Sequence, residues 1–183
     1  VFDHGAQYFT ARTPEFKAFI SPYVVSGVIA RWNARYQKFA GSDVIEESDW
    51  AVGEPRYVGV GGMNQLCKQI AAGIEVVTGT RIESLEQQDD SWYLLDQGGT
   101  RHGDYDWVIL CAPAPQTAAL LPQSFEHLGA IEAIEMVGCI SLMLGFESAL
   151  AINFDAAHIG QSDISWIAVN SSKPGRNEAF SLV

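Results

Sequence analysis

The sequence predicts a mixed α/β fold, and three observations support this. Thr13 and Pro14 form a helix start, and apolar residues at helical spacing follow them. From residue 74 the apolar period changes to two, which indicates strands. Trp107–Ala112 is a continuous apolar run of strand length, typical of a strand buried on both faces of a helix-covered sheet.

The remaining elements follow from the same periodicities. Helices are predicted from Pro14, from Pro22 to Trp32, over 63–71 with a stop at Gly73, and over 116–121. Strands are predicted over 57–60, 76–84, 92–95, 136–146 and 164–169, with a turn at 88–91. Glu46–Asp49 is predicted to be a solvated acidic turn, and 170–176 a polar loop.

Composition excludes several classes of protein. Hydrophobic residues make up 48% of the 183 residues and charged residues 18%, which is ample for a packed core and rules out global disorder. The net charge of -11 makes nucleic acid and anionic membranes poor partners, because phosphate contacts need clustered basic residues. There is no run of eighteen apolar residues that could span a bilayer. A small-molecule substrate is the expected partner, and the oligomeric state stays open.

Cysteine and histidine usage predicts no metal site. Cys67, Cys111 and Cys139 are odd in number and lack the CxxC spacing, so neither a disulfide framework nor a zinc site is expected. Their apolar neighbours predict buried structural thiols in a reducing, cytoplasmic setting. The four histidines are scattered along the chain.

The usual catalytic motifs are missing from the sequence. No Walker A, GxGxxG or HExxH pattern occurs. Residues 160–164 approach a nucleophile elbow, but Ile164 stands where the second glycine is needed. The chain begins abruptly at Val1, and we expect it to be an internal portion of a longer protein.

Five segments in order resemble the flavin-dependent amine oxidase superfamily, and its renalase-like branch most closely. They are residues 3–10 (DHGAQYFT), 57–66 (YVGVGGMNQL), the hairpin 77–92, residues 106–116 (DWVILCAPAPQ) and residues 166–176 (WIAVNSSKPGR). The resemblance covers nearly all of this chain but only the middle of a family member. The family's GxGxxG segment would precede Val1, and its flavin-closing segment would follow Val183.

This resemblance implies a portion of a two-domain FAD-binding fold of Rossmann type with an interleaved mixed-sheet substrate domain. Residues 1–12 and 74–122 would belong to the FAD-binding domain. Residues 13–73 and 123–183 would form the substrate-binding domain.

The resemblance also implies which residues meet the cofactor. Gly5, Ala6 and Gln7 would lie beside the flavin ring, where small side chains permit close backbone approach. Ile82 would pair with the adenine edge through its backbone. Ala112 and Pro113 follow an expected buried strand, and ligands of α/β sheets lie outside the carboxyl ends of strands. A simple tight turn also accounts for residues 5–7, and an ordinary strand position in a hairpin accounts for Ile82.

Substrate contacts are predicted for Tyr8, Trp166, Asn170 and Lys173. Trp166 would supply an aromatic wall above the flavin, with core packing as the alternative. Lys173, together with Arg176, could bind an acidic or phosphate-bearing substrate, or could simply lie in a solvated loop. Gly61 and Gly62 are interpreted as a structural turn rather than an anion-binding one.

The implied function is an FAD-dependent oxidoreductase acting on an amine or a dihydronicotinamide-like substrate, with reoxidation by dioxygen. Because the cofactor supplies the chemistry, no side-chain nucleophile is required. The alternative is a folded, non-catalytic binding module, since FAD without its pyrophosphate loop would bind this chain weakly or not at all. A desaturase or protoporphyrinogen oxidase relative is a third reading, which the 170–176 loop disfavours.

Overall fold

A computed structural model describes residues 1–176 and 179–183 and confirms the mixed α/β class. The strands are β1 (Phe9–Thr10), β2 (Ile29–Arg31), β3 (Arg35–Ala40), β4 (Asp43–Asp49), β5 (Arg56–Gly59), β6 (Ile82–Gln88), β7 (Ser91–Asp96), β8 (Arg101–Tyr105), β9 (Leu144–Phe146), β10 (Ala156–Gly160), β11 (Trp166–Ala168) and β12 (Phe180–Leu182). The helices are α1 (Pro14–Val25), α2 (Gln65–Ile70), α3 (Ala114–Leu120) and α4 (Leu128–Glu132), and Asn170–Ser172 forms a 3-10 turn.

The chain divides into two compact units. Unit 1 contains residues 1–74 and 140–183, and unit 2 contains residues 75–139. Unit 1 carries three small sheets, with strand orders β1-β5-β2, β11-β10-β3-β4 and β12-β9. Unit 2 carries the antiparallel meander β6-β7-β8 together with α3 and α4.

A parallel pairing joins the two sequence halves of unit 1. Strand β10 lies parallel to β3, with Ala156 opposite Tyr36, and antiparallel to β11. At the start of this pairing the Arg35 guanidinium makes two hydrogen bonds, of 2.9 and 3.0 Å, to the Asp155 carboxylate. The bidentate geometry fixes the register of the two strands.

The core of unit 1 combines two indoles with several small residues. Trp32 and Trp50 are buried, and three alanines are fully enclosed beside them: Ala34, Ala156 and Ala168. Small side chains at these positions leave room for large rings to interdigitate. A second cluster, built on Ile20 and Ile29, fixes α1 against its sheet.

Helix α1 begins where the sequence predicts and ends earlier. The Phe16 amide donates to the Thr13 hydroxyl at 3.2 Å, and Pro14 occupies the first turn. The helix includes Pro22 and ends at Val25, and Gly27 then adopts a φ of +75°. The predicted continuation of helix to Trp32 is wrong: the chain reverses at Gly27, and β2 follows.

The acidic segment 46–49 was predicted to be a turn, but it is part of β4. It pairs with β3 so that Glu46 lies opposite Lys38 and Asp49 opposite Arg35. Opposite charges at facing positions stabilise an exposed antiparallel pair. These charges therefore belong to a strand whose residues are all exposed.

Several predicted strands of the middle region are shorter or missing. The hairpin β6-β7 is confirmed, but β6 begins only at Ile82. Residues 107–112 form no strand, and Trp107 and Ile109 are 86% and 83% exposed. Of residues 136–146 only β9 is a strand. In the part of the chain that the structure describes, no neighbouring strand pairs with 107–112, so its apolar run does not form a buried strand.

The prediction of buried thiols is wrong. Cys67, Cys111 and Cys139 are all exposed. Cys67 lies on α2, and no residue of that helix is buried. Cys111 and Cys139 lie in the apolar stretches that lack strand partners. Apolar neighbours in sequence therefore do not mark buried positions here.

Gly59 provides a test of the tight turn after β5. A Cβ atom at this position would lie 2.2 Å from the Gly62 carbonyl oxygen, which belongs to the backbone. We expect Gly59→Ala to lower the free energy of unfolding by about 1–3 kcal/mol or more, as overpacking does. Urea denaturation measures the loss. Gly73→Ala, whose Cβ would meet nothing within 4 Å, is the control. Equal stability of the two variants would contradict the turn geometry.

Candidate functional site

The N-terminal segment of unit 1 is held in place by Asp3. Its Oδ1 accepts a hydrogen bond of 3.1 Å from the Met63 amide, and its own amide donates to Asn170 Oδ1 at 3.2 Å. The residue is 6% exposed. Asp3 thus links residues 1–8 to the turn before α2 and to the 3-10 turn at 170–172.

Two basic side chains share the Asp3 carboxylate. Lys173 Nζ lies 3.3 Å and Arg176 Nε 2.7 Å from Asp3 Oδ2. The Lys173 and Arg176 side chains are 0% and 1% exposed. We call Asp3, Lys173 and Arg176 the ion cluster. With two cations and one carboxylate, it carries an excess positive charge when both basic groups are protonated.

Burial changes the protonation of Lys173. Loss of hydration lowers its pKa from 10.5 to about 8, the Asp3 carboxylate opposes this change, and Arg176 adds to it. An ammonium removed from water favours its neutral form, and a nearby cation favours it further.

Lys173 also fixes the side chain of Gln7. Its Nζ donates to Gln7 Oε1 at 2.8 Å, and Gln7 Nε2 donates to the carbonyls of Asp3 and Gly5. Because an ammonium only donates, this contact determines which way the amide of Gln7 points. Lys173 is therefore a positioning residue for the loop 3–7.

The loop leaves backbone donors free. Gly5 and Ala6 are exposed, and a Cβ at Gly5 would meet nothing within 4 Å. Among the described residues, no protein acceptor pairs with the amides of Gly5, Ala6 and Gln7. We call residues 5–7 the amide strip. A flat ligand with acceptor atoms could approach it closely.

Asn170 and Lys173, two of the predicted substrate contacts, are buried in unit 1. Asn170 is 1% exposed, and its Nδ2 donates to the Val1 carbonyl at 2.8 Å while its Oδ1 accepts from Asp3. Both side chains are enclosed by protein groups. The substrate contacts expected from the sequence for Asn170 and Lys173 stay predictions; in this structure both side chains are buried and hydrogen-bonded to protein groups, and Arg176 lies beside Asp3.

Tyr8 and Trp166, by contrast, meet in one group of rings. We call Tyr8, Tyr36, Trp50 and Trp166 the aromatic cluster. The Tyr8 and Trp50 rings are 5.2 Å apart edge to face, and Trp50 and Trp166 stack at 6.4 Å. Tyr36 stacks on Trp50 at 5.4 Å, and burial, followed by Glu46 and Tyr8, raises its pKa.

Within unit 2, Ile82 and Ala112 line one cavity of about 750 Å³. The other lining residues are Arg81, Glu83, Gln116, Ala119 and Leu120. The pairing of β6 with β7 shifts register between Ile82 and Ser84, which places a bulge at the cavity wall. Pro113 is exposed, immediately precedes α3 and is not part of this lining.

Two residues of these sites were not selected from the sequence. Asp3 was not singled out because its charged partners, Lys173 and Arg176, lie 170 residues or more away along the chain. Arg56 stacks over Trp50, with Cζ 3.9 Å from the ring centroid. Its aromatic neighbours come from separate segments, so no local pattern marks it.

Within residues 1–176 and 179–183, no three His, Cys, Asp or Glu side chains are grouped to hold a metal ion. Over the same residues, no helix has the length and apolar character to cross a membrane.

Comparisons with known proteins give a partial likeness to a solved structure. No family model matches the sequence. Among solved structures, the chain is similar to a candidate protoporphyrinogen oxidase from Exiguobacterium sp. 255-15, with a TM-score of 0.49 and 17% identity. The match covers 69% of this chain and 30% of that one, which is less than a third of that protein's length.

Among the charged residues of unit 1, we expect substitution of Asp3 to lower the free energy of unfolding most. Asp3→Asn leaves Lys173 and Arg176 buried without a counter-charge, and such changes cost about 3–5 kcal/mol in the free energy of unfolding. Chemical denaturation measures this, with the exposed Asp43→Asn as control. Adding Lys173→Met to Asp3→Asn is expected to restore part of the loss. A loss no larger than that of the control would contradict the ion cluster.

Lys173 is expected to give the stability a distinct pH dependence. Its pKa is about 8 in the folded chain and 10.5 as its ordinary value, so the unfolded state binds more protons between these limits. Stability contributed by this group therefore rises as the pH increases from 8 to 10.5, by up to about 3 kcal/mol.

The measurement is the free energy of unfolding of the original chain minus that of Lys173→Met across this pH range. Tyrosine titrations common to both proteins cancel in the difference. A constant difference would mean that Lys173 keeps its ordinary pKa.

Proposed function

We propose that this chain is the cofactor- and substrate-contacting portion of an FAD-dependent oxidoreductase of the amine oxidase type. The observation that carries the proposal is the unit 2 cavity, which brings together Ile82 and Ala112. Both were assigned to the cofactor from separate sequence segments. Their meeting in one cavity is not required by their positions in the sequence.

The cavity fits the nucleoside end of FAD. Its volume of about 750 Å³ lies within the range of small-molecule sites, about 300–1,000 Å³. The bulge at Ile82–Ser84 leaves a residue outside the ladder, and such bulges make backbone groups available beside functional sites. Ala112 contributes only a methyl group, so a flat base can lie against the backbone.

Within unit 1 alone, the amide strip suits a flavin ring. Unpaired backbone N–H groups at Gly5, Ala6 and Gln7 can donate to the acceptor edge of an isoalloxazine, and donors there tune its electronics. Lys173 holds Gln7 in place from the buried side. The unit 2 cavity and the amide strip each support the proposal independently.

Bound FAD would supply the redox chemistry: a hydride leaves the substrate, and its two electrons reach dioxygen, which with protons becomes hydrogen peroxide. The chain itself would orient the substrate and shield it from water. Tyr8 follows the amide strip directly and packs on Trp50, so the aromatic cluster can form a water-excluding wall for a flat substrate. The substrate is an amine or a dihydronicotinamide-like compound.

A second candidate function is a binding module without redox activity. It is favoured by the lack of a GxGxxG sequence among the 183 residues, because that loop normally anchors the pyrophosphate of FAD. The unit 2 cavity could then hold a nucleotide by itself. We expect FAD to bind the 183-residue chain alone weakly or not at all.

The deciding experiment is a visible absorption spectrum of the product of the complete reading frame after desalting. A flavin band that bleaches on adding a dihydronicotinamide or an amine supports the oxidoreductase. A colourless, folded protein supports the binding module.

Ala112→Trp tests the site itself. In the product of the complete reading frame, an indole at this position would fill the cavity and is expected to lower FAD occupancy at least about tenfold, which corresponds to a loss of about 1.4 kcal/mol or more in binding free energy. Occupancy is read from the ratio of flavin to protein absorbance. Ala130→Trp, exposed on α4 and outside the cavity lining, is the matched control. Equal occupancy in the two variants would remove the cavity from the proposal.

A further inference from the structure

Arg56 is a cation without a carboxylate partner in a strongly acidic chain. The sequence has 22 acidic and 11 basic residues of the Lys and Arg type. Salt bridges pair Arg12, Arg35, Arg101, Lys173 and Arg176 with carboxylates. Over residues 1–176 and 179–183, no such bridge involves Arg56. Among the described residues, the Arg56 side chain donates one hydrogen bond, of 3.4 Å, to the Glu54 carbonyl.

The guanidinium of Arg56 is held on the aromatic cluster. Its Cζ lies 3.9 Å from the Trp50 ring centroid and 5.6 Å from that of Tyr8. Stacking of this kind stabilises a guanidinium while leaving its in-plane N–H groups free. Arg56 is partly exposed, as are Tyr8, Tyr36 and Trp166.

Two enclosed donors belong to this same group of side chains. Arg56 Nε and Trp166 Nε1 are buried atoms that have no hydrogen-bond partner among the described residues. Both are donors only, so only an acceptor can satisfy them. Unsatisfied buried donors are rare enough in folded proteins to call for an explanation.

We infer that Arg56 and the aromatic cluster bind the carboxylate of a flat, anionic ligand. Arg56 would supply the charge and Trp166 Nε1 a further donor, while the rings contact the flat portion. A planar guanidinium matches a carboxylate in geometry as well as charge. If the ligand is the substrate, the inference rests on the proposed function and narrows its substrate class to anionic compounds.

The cluster is less suited to a cationic ligand. The aromatic faces nearest Arg56 already hold a positive charge, and a second cation would be repelled. Tyr36 also lines a separate cavity of about 340 Å³ beside Glu47 and Asp49, which is where an amine would find carboxylates. The basic residues first considered for an acidic substrate, Lys173 and Arg176, are enclosed in the ion cluster.

The test compares two probes of one shape, benzoate and benzylamine, added to the folded chain. Calorimetry gives their affinities, and NMR follows the indole N–H signal of Trp166, assigned with Trp166→Phe. We expect benzoate to bind more tightly and to shift that signal. Arg56→Gln should weaken benzoate binding at least about tenfold, the loss typical of a hydrogen bond to a charged group.

Two further variants separate charge at this site from general electrostatics. Arg31→Gln removes an exposed arginine of the same unit and should leave benzoate affinity unchanged. Arg56→Lys retains the charge without the planar fork and should retain part of the affinity. Near-ultraviolet circular dichroism verifies that each variant keeps its aromatic packing.

The inference is overturned if benzylamine binds more tightly, if benzoate does not bind, or if Arg56→Gln binds it as the original chain does. The flavin spectrum is read independently. A flavin band without benzoate binding keeps the oxidoreductase and discards the anion site. Benzoate binding by this chain, together with a colourless product of the complete reading frame, keeps the anion site and discards the oxidoreductase.

Discussion

The arrangement of unit 1 depends on the contacts of the buried Asp3 carboxylate with Lys173 and Arg176. That carboxylate neutralises one of two enclosed cations and connects residue 3 to residue 173 across 170 positions of sequence. A buried ion pair stabilises weakly compared with a well-packed apolar group, but removing one partner is costly. We therefore expect the ion cluster to contribute more to the specific position of loop 3–7 than to overall stability.

The ion cluster also shapes the candidate site. Lys173 does not reach the surface, yet through Gln7 it determines how the amide strip is presented. The aromatic cluster has a similar double role, because Trp50 is part of the core while Tyr8, Tyr36 and Trp166 extend to partly exposed positions. Core and site are thus continuous, and the rigidity of one is transmitted to the other.

What could be predicted from the sequence was local. The Thr13 cap, the hairpin turn at 88–91 and the short helix after Pro113 are set by neighbouring residues, and all three were found. The apolar run 107–112 was misjudged because its burial depends on partners elsewhere, which local pattern does not report. The β3-β4 pair was missed because cross-strand charges, rather than alternating apolar residues, mark it.

The residues of the candidate site show the same contrast between local signals and distant partners. From the sequence, Tyr8 was predicted to contact substrate, Trp166 to supply an aromatic wall, and Ile82 and Ala112 to lie beside the cofactor. In the structure Tyr8 lies near Trp166, and Ile82 and Ala112 line one cavity. Arg56 and Asp3 escaped because their roles arise from groups far away in sequence. The role of each of these charged residues depends on its partners, and tertiary contacts bring those partners together.

The parallel pairing of β3 with β10 has a consequence for the order of assembly during synthesis. Its partners are 120 residues apart, and the whole of unit 2 is encoded between them. During synthesis, every residue of unit 2 therefore emerges from the ribosome before β10 is available to pair with β3. Unit 2, which is continuous in sequence, can fold before unit 1 is complete. Until then β3 offers a free edge to other chains, and the charged face of β4 beside it provides protection against aggregation.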